Sequence, residues 1–137
     1  MDRTRRAEMA IAQSEVVVGY KRYLDHIKDL TDGKELISSG MTKETERCKA
    51  AIERADQGVI VSLVSSGDAG IYGMAGLALE LANSEGKCIP IEIVSGVTSA
   101  SATAARLGAP LMLDFACISL SDLLAPWDMI RKRLEAA

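Results

Sequence analysis

The stretch VIVSLVSSGDAGIYGMAG, residues 59 to 76, constrains the fold more than any other, because an uncharged aliphatic run stops at a glycine-rich turn and resumes with helical spacing. Val59 to Val64 are what a strand buried on both faces of a parallel sheet requires, since helices on each side leave no solvent face to be polar. Ser65 to Gly70 end that strand. Gly67, Gly70, Gly73 and Gly76 recur at every third position; the first two supply turn conformations, and the later two are expected to leave one helix face bare for close approach. A strand, a glycine turn and a helix start in succession form the corner at which α/β sheets bind ligands.

The rest of the chain repeats this alternation. The pattern predicts a helix over 3–13, a buried strand over 15–20, a helix over 21–30, a turn at Asp32-Gly33 and a short edge strand over 35–38. Thr42 is the expected N-cap of a helix over 43–56 that Gly58 terminates, with Cys48, Ile52 and Ala55 along one face. A helix over 74–83, a strand over 89–94 and a small-residue helix over 97–107 follow, the last stopped by Gly108 and Pro110. A strand over 115–120 and a helix over 129–136 complete the series. Alternating β and α elements with short connections predict an α/β fold, a mostly parallel sheet with helices on both faces. Such a domain ordinarily opens with a strand, whereas a helix comes first here. The expected organisation is an N-terminal α/β domain over 1–112 lacking its first strand, and the start of a truncated C-terminal domain over 113–137.

Composition narrows the function classes. Of 137 residues, 48% are hydrophobic and only 4% aromatic, as in a soluble domain with an aliphatic core. A net charge of -3 and scattered basic residues argue against general nucleic-acid binding. Cys48, Cys88 and Cys117 form no C-x-x-C pair and have no histidine near them, so three reduced, mostly buried thiols are expected, with neither disulfides nor a metal site. No apolar run approaches the ~20 residues that span a bilayer, and no signal peptide opens the chain. A cytoplasmic protein is expected.

The glycine loop is neither G-x-G-x-x-G nor G-K-[ST], so the dinucleotide and triphosphate fingerprints fail on their own residues. Asp68 is suited equally to a ligand contact and to an Asx turn or cap. Thr98 and Ser99 cap a helix, present hydroxyls to a ligand, or do both. His26, the only histidine, sits in the charged run KRYLDHIKDL as a surface residue. No Ser-His-Asp or Cys-His arrangement can be assembled, which argues against acyl transfer by a nucleophile.

Gly67-Asp68-Ala69 after the buried run, Ser95-Gly96-Val97-Thr98-Ser99 and Leu107-Gly108-Ala109-Pro110-Leu111 together resemble the tetrapyrrole methylases. VVVGYKRY, ISSGMTKETERCKAAIE, SSGDAGIYGMAGLALEL and ISLSDLLAPWDMIRKRL are similar to the precorrin-3B C(17)-methyltransferase branch of cobalamin biosynthesis, in which Ala69 is usual; Ser95 departs from the family's proline. The resemblance implies the N-terminal domain of that fold and transfer of a methyl group from S-adenosylmethionine to carbon 17 of a precorrin, with contraction of the ring. It implies Ser66, Gly67, Asp68, Ile71, Thr98 and Ser99 as cofactor contacts. Tyr20, Lys21, Ser39, Gly40, Met41, Thr42, Ser119, Ser121 and Asp122 are the expected contacts to the polycarboxylate substrate, and a homodimer is expected. The family's opening G-x-G-P-G strand and its C-terminal domain are expected to be absent here, which makes a non-catalytic relic, or a split-enzyme half needing a partner chain, the alternative.

Overall fold

The computed structural model describes residues 2–121 and 125–137. They divide into two compact units, Met1–Val97 and Thr98–Ala137. The first runs α1 (Arg5–Gln13), β1 (Val16–Tyr20), α2 (Lys21–Asp25), a 3-10 turn (Lys28–Leu30), β2 (Glu35–Ser39), α3 (Glu44–Asp56), β3 (Val61–Val64) and α4 (Ala75–Ser84). The strands form one sheet in the order β2-β1-β3. Both ladders are parallel, with Val17 opposite Leu36 on one side and opposite Ser62 on the other.

Strand alternation decides which helix covers which face. Val17 packs with Ile11 of α1, Leu24 of α2 and Ile27. Val16 and Val18 point the other way, onto Ala51 of α3. Cys48, Met74 and Ala78 join α3 to α4 beneath Leu63. Helices therefore cover both faces of a parallel sheet, and β1, paired on both edges, is its most deeply buried strand.

Several elements depart from expectation, each for a local reason. The helix over 21–30 breaks after Asp25, because Ile27 leaves helical geometry at φ -122. Thr42 does not cap α3: it adopts φ 61 and its hydroxyl donates to the Met41 carbonyl, while Lys43 occupies the cap position without a side-chain hydrogen bond. β3 is half-buried rather than buried on both faces, since it stands at the edge of the sheet. Among the described residues, 89–94 join no ladder despite their strand-like pattern, and no strand forms over 115–120. Of the thiols only Cys48 is buried; Cys88 and Cys117 are exposed.

The second unit contains α5 (Ser99–Leu107) and α6 (Trp127–Ala136). Thr98 caps α5, its hydroxyl accepting from the Ala100 N–H at 3.5 Å, and Gly108 closes the helix in the left-handed region at φ 63.

Candidate functional site

The route of the chain creates a crevice. From β1 it passes into α2 on the Val17 face, whereas from β3 it leads to α4, which packs with α3 across the other face. Neighbouring strands whose connections diverge leave an opening at their carboxyl ends, where open α/β sheets take ligands. A cavity of about 370 Å³ lies there, lined by Thr4, Ser65, Ser66, Gly67, Gly96 and Val97 among others. Its size falls in the range of small-molecule sites.

Asp68 organises the rim. One carboxylate oxygen accepts from the Gly70 N–H at 2.8 Å, closing an Asx turn. The other accepts from the Gly96 N–H at 3.0 Å. One side chain thus joins the loop after β3 to the loop after residues 89–94, through bonds to a charged acceptor that contribute about 1.5–3 kcal/mol each. The two loops also touch directly. Gly67 turns in the left-handed region at φ 66, and its carbonyl oxygen lies only 1.9 Å from where a Cβ on residue 96 would stand. No side chain can occupy position 96 without moving the backbone.

Within the loop, the Ile71 N–H donates to the Asp68 carbonyl at 3.2 Å and the Ala75 N–H to the Ala69 carbonyl at 3.1 Å. Gly73 falls in this turn, before the helix, close to the Ala69 backbone; Gly76 faces open space and not a close neighbour. Ser66 and Ile71 are exposed at the rim. The Ser65 hydroxyl is buried and has no hydrogen-bond partner among the described residues.

A second constellation gathers around Arg47, which no motif singles out. Its Nε donates to Ser39 Oγ at 2.8 Å, one terminal nitrogen donates to the Gly40 carbonyl at 2.8 Å, and the other lies 3.9 Å from Met74 Sδ. The guanidinium stands 5.9 Å from the centre of the Tyr20 ring. Residues Tyr20, Ser39 and Gly40, at the ends of β1 and β2, are thereby brought to one point. Arg47 is 5% exposed, and no carboxylate pairs with it among the described residues. A signal was available: Arg47 shares the buried stripe of α3 with Cys48, Ala51 and Ile52. Beside it, burial pushes the Cys48 thiol up to about 11.

The other expected contacts are dispersed. Lys21, Met41 and Thr42 are exposed. Thr98 and Ser99 open α5 in the second unit, and the Ser121 N–H there donates to Ser119 Oγ at 3.3 Å. Asp122 lies outside the described residues. Among those described, no three His, Cys, Asp or Glu side chains are placed to hold a metal ion, and no helix is long and apolar enough to cross a membrane.

A parallel sheet covered on both faces, with glycine loops meeting at its carboxyl edge, defines a domain of the open α/β class. The chain belongs to the Tetrapyrrole (Corrin/Porphyrin) Methylases, which it matches over residues 2–137. It is 52% identical over 134 residues to a probable cobalt-factor III C(17)-methyltransferase of Salmonella typhimurium, covering 98% of this chain and 56% of the relative. A relative of the same description from Methanothermobacter thermautotrophicus is 48% identical over 136 residues, covering 99% of this chain and 38% of that one. Among solved structures, that of the methyltransferase CobJ superposes with a TM-score of 0.87 at 37% identity, over 96% of this chain and 55% of that one. The chain thus spans about half the length of the first of these relatives, or less.

Proposed function

We propose that the chain forms one wall of the S-adenosylmethionine site of a cobalamin-pathway methyltransferase acting at carbon 17 of a corrin-type tetrapyrrole. The observation that carries this reading is the pair of glycine loops locked together by Asp68 at the carboxyl edge of the sheet. Bare backbone at Gly67, the exposed Ser66 and Ile71 and the unpartnered Ser65 hydroxyl fit a nucleoside-bearing ligand. When bound, the cofactor supplies an activated methyl carbon for in-line displacement. The residues then have to align the reactants and exclude water, which agrees with the absence of a nucleophile among the motifs. Gly67 admits close approach, Gly96 lets the two loops meet, Ile71 shields, and the Asp68 carboxylate contributes negative potential toward a cationic ligand. Thr98 and Ser99 complete the proposed cofactor set.

Tyr20, Lys21, Ser39, Gly40, Met41, Thr42, Ser119, Ser121 and Asp122 are proposed for the macrocycle, with Arg47 ordering those at the ends of β1 and β2. The relatives' names favour cobalt-factor III over the cobalt-free precorrin-3B as substrate. A cytoplasmic homodimer is the proposed working form, supported by the exposed apolar residues Leu111, Met112, Leu113 and Phe115.

Calorimetry of the chain with S-adenosylhomocysteine tests the site. Saturable binding at one site per chain is expected, and binding that survives replacement of Gly96 by a bulky residue would remove the loops from the site. The alternative is a non-catalytic α/β relic, or a split-enzyme half that binds S-adenosylmethionine only with a partner chain. The split half predicts no binding by the chain alone, with binding and turnover appearing only on co-expression with the remaining segments of the Salmonella typhimurium relative, and a relic predicts no turnover even then.

A further inference from the structure

Helix α3 covers one face of the sheet, and its first turns reach the carboxyl ends of two strands. Val16, Val18 and Tyr20 alternate onto that face of β1, and Ile37 and Ser39 onto the same face of β2. Tyr20 and Ser39 stand opposite each other in the parallel ladder. Ala51 of α3 packs with Val16 and Val18, so Arg47, one helical turn earlier, falls at Tyr20 and Ser39.

The groups that meet the guanidinium are all neutral. Ser39 Oγ and the Gly40 carbonyl each accept from it at 2.8 Å, with Met74 Sδ and the Tyr20 ring beyond them. A buried cation with no carboxylate partner among the described residues carries a desolvation cost, and its field is weakly screened. The Arg47 backbone N–H also donates to the Lys43 carbonyl at 3.0 Å, so one residue ties both ends of the turn over 40–43. Within that turn Thr42 holds φ 61, which a β-branched residue keeps only where its surroundings impose it.

Ser39 passes the charge outward. Its oxygen accepts from Arg47, so its one proton is left to donate, and no described residue takes it. A hydroxyl that accepts from a cation becomes a stronger donor in turn. Arg47 is buried and Ser39 only half-buried, so the hydroxyl is where a ligand meets the charge.

We propose that Arg47 is a positioning residue that, through the Ser39 hydroxyl, makes the joined ends of β1 and β2 a subsite for one carboxylate of the macrocycle. The inference rests on the methyltransferase reading and names the group that this end of the site takes. Two of the proposed ligands carry a carboxylate, the macrocycle and the amino-acid end of S-adenosylmethionine. Topology favours the first: the loops joined by Asp68 follow β3 and residues 89–94, whereas this subsite lies on the other side of β1, at its ladder with β2.

The test uses the chain co-expressed with the remaining segments of the Salmonella typhimurium relative, titrated with cobalt-factor III, with the same macrocycle as its methyl esters, and with S-adenosylhomocysteine. Ser39→Ala and Arg47→Met are each expected to weaken binding of cobalt-factor III about tenfold, the effect of losing one hydrogen bond to a charged group. The double variant should bind no more weakly than either single one, because the two residues act as a unit. Ser39→Thr, which keeps the hydroxyl, should recover most of the loss. The esterified macrocycle should bind parent and variants alike, and affinity for S-adenosylhomocysteine should not change. If Arg47→Met melts below the assay temperature, Ser39→Ala alone decides. Equal losses with the esterified macrocycle would overturn the proposal by assigning the effect to the shape of the turn, and a loss confined to S-adenosylhomocysteine would overturn it in favour of the cofactor's carboxylate. Undiminished binding of cobalt-factor III by Ser39→Ala would overturn it while leaving the methyltransferase reading intact, whereas a parent complex that binds no macrocycle would remove that reading and the inference with it.

Discussion

Gly96→Ala is the sharpest test of how the two loops meet. The added methyl carbon would lie 1.9 Å from the Gly67 carbonyl oxygen, 3.0 Å from its carbonyl carbon and 3.3 Å from Asp68 Cα, all of them backbone. Ordinary contact requires the loops to separate by about 1.5 Å, and no rotamer change can supply that. Overpacking of this kind costs about 1–3 kcal/mol. The same separation stretches the 3.0 Å bond from Gly96 N–H to Asp68 beyond hydrogen-bonding range. Because that carboxylate is half-exposed and can recruit water, the lower part of the ~1.5–3 kcal/mol range for a charged acceptor applies. The total is about 2–4 kcal/mol, or a fall in melting temperature of roughly 8–15 °C for a chain of this size. Gly76→Ala is the matched control: its Cβ meets nothing within 4 Å, it lies in α4, and helix propensity makes it neutral or stabilising by about 0.5 kcal/mol. The assay is thermal unfolding followed by circular dichroism. A Gly96→Ala chain melting within about 2 °C of the parent would refute the contact between the loops.

Three further outcomes follow from single residues. Thr42→Gly should stabilise the chain by about 1 kcal/mol in urea unfolding, since a β-branched residue at φ 61 is strained; a loss of stability would show that the Thr42 side chain is needed where it stands. At Arg47, replacement by lysine should cost about 2 kcal/mol because a buried ammonium cannot reproduce the fork onto Ser39 and Gly40, whereas methionine should cost less by removing the charge and leaving acceptors that water can reach; the opposite order in denaturant midpoints would contradict the assigned geometry. Cys48 has a folded-state pKa raised from 9.0 to about 11, so the folded chain holds the proton more tightly than the unfolded one. Its contribution is complete below pH 9 and is lost as pH rises toward 11, amounting to about 3 kcal/mol; Cys48→Ala should flatten that alkaline decline in a pH series of unfolding midpoints, and an unchanged slope would assign it to other groups.

What the sequence made legible was set by local chemistry. The β-branched runs at 16–20 and 61–64, the small-residue helix after Thr98 and the left-handed Gly108 are dictated by residues within a few positions, and all form. Residues 89–94 show why strand pattern is insufficient: IPIEIV has the aliphatic content of a strand, yet a strand exists only when a neighbouring backbone pairs with it, and none does among the described residues. Thr42 has the chemistry of a cap, but its backbone conformation is imposed by the turn out of β2. The role of Asp68 was half legible. An Asx turn to Gly70 lies within local reach, whereas the bond to Gly96 joins residues 28 positions apart and depends on the end of β3 and the loop after residues 89–94 arriving together. Arg47 was hidden for the same reason, because its burial requires β1, β2 and α4 to converge on α3.

Regiospecific methyl transfer tests the central claim most directly. The chain, co-expressed with the remaining segments of the Salmonella typhimurium relative, would be incubated with cobalt-factor III and S-adenosylmethionine enriched with carbon-13 in its methyl group, and the product read by nuclear magnetic resonance. One enriched methyl carbon attached at carbon 17 is the predicted result. Enrichment at a different ring carbon, or none while S-adenosylhomocysteine still binds, would contradict it.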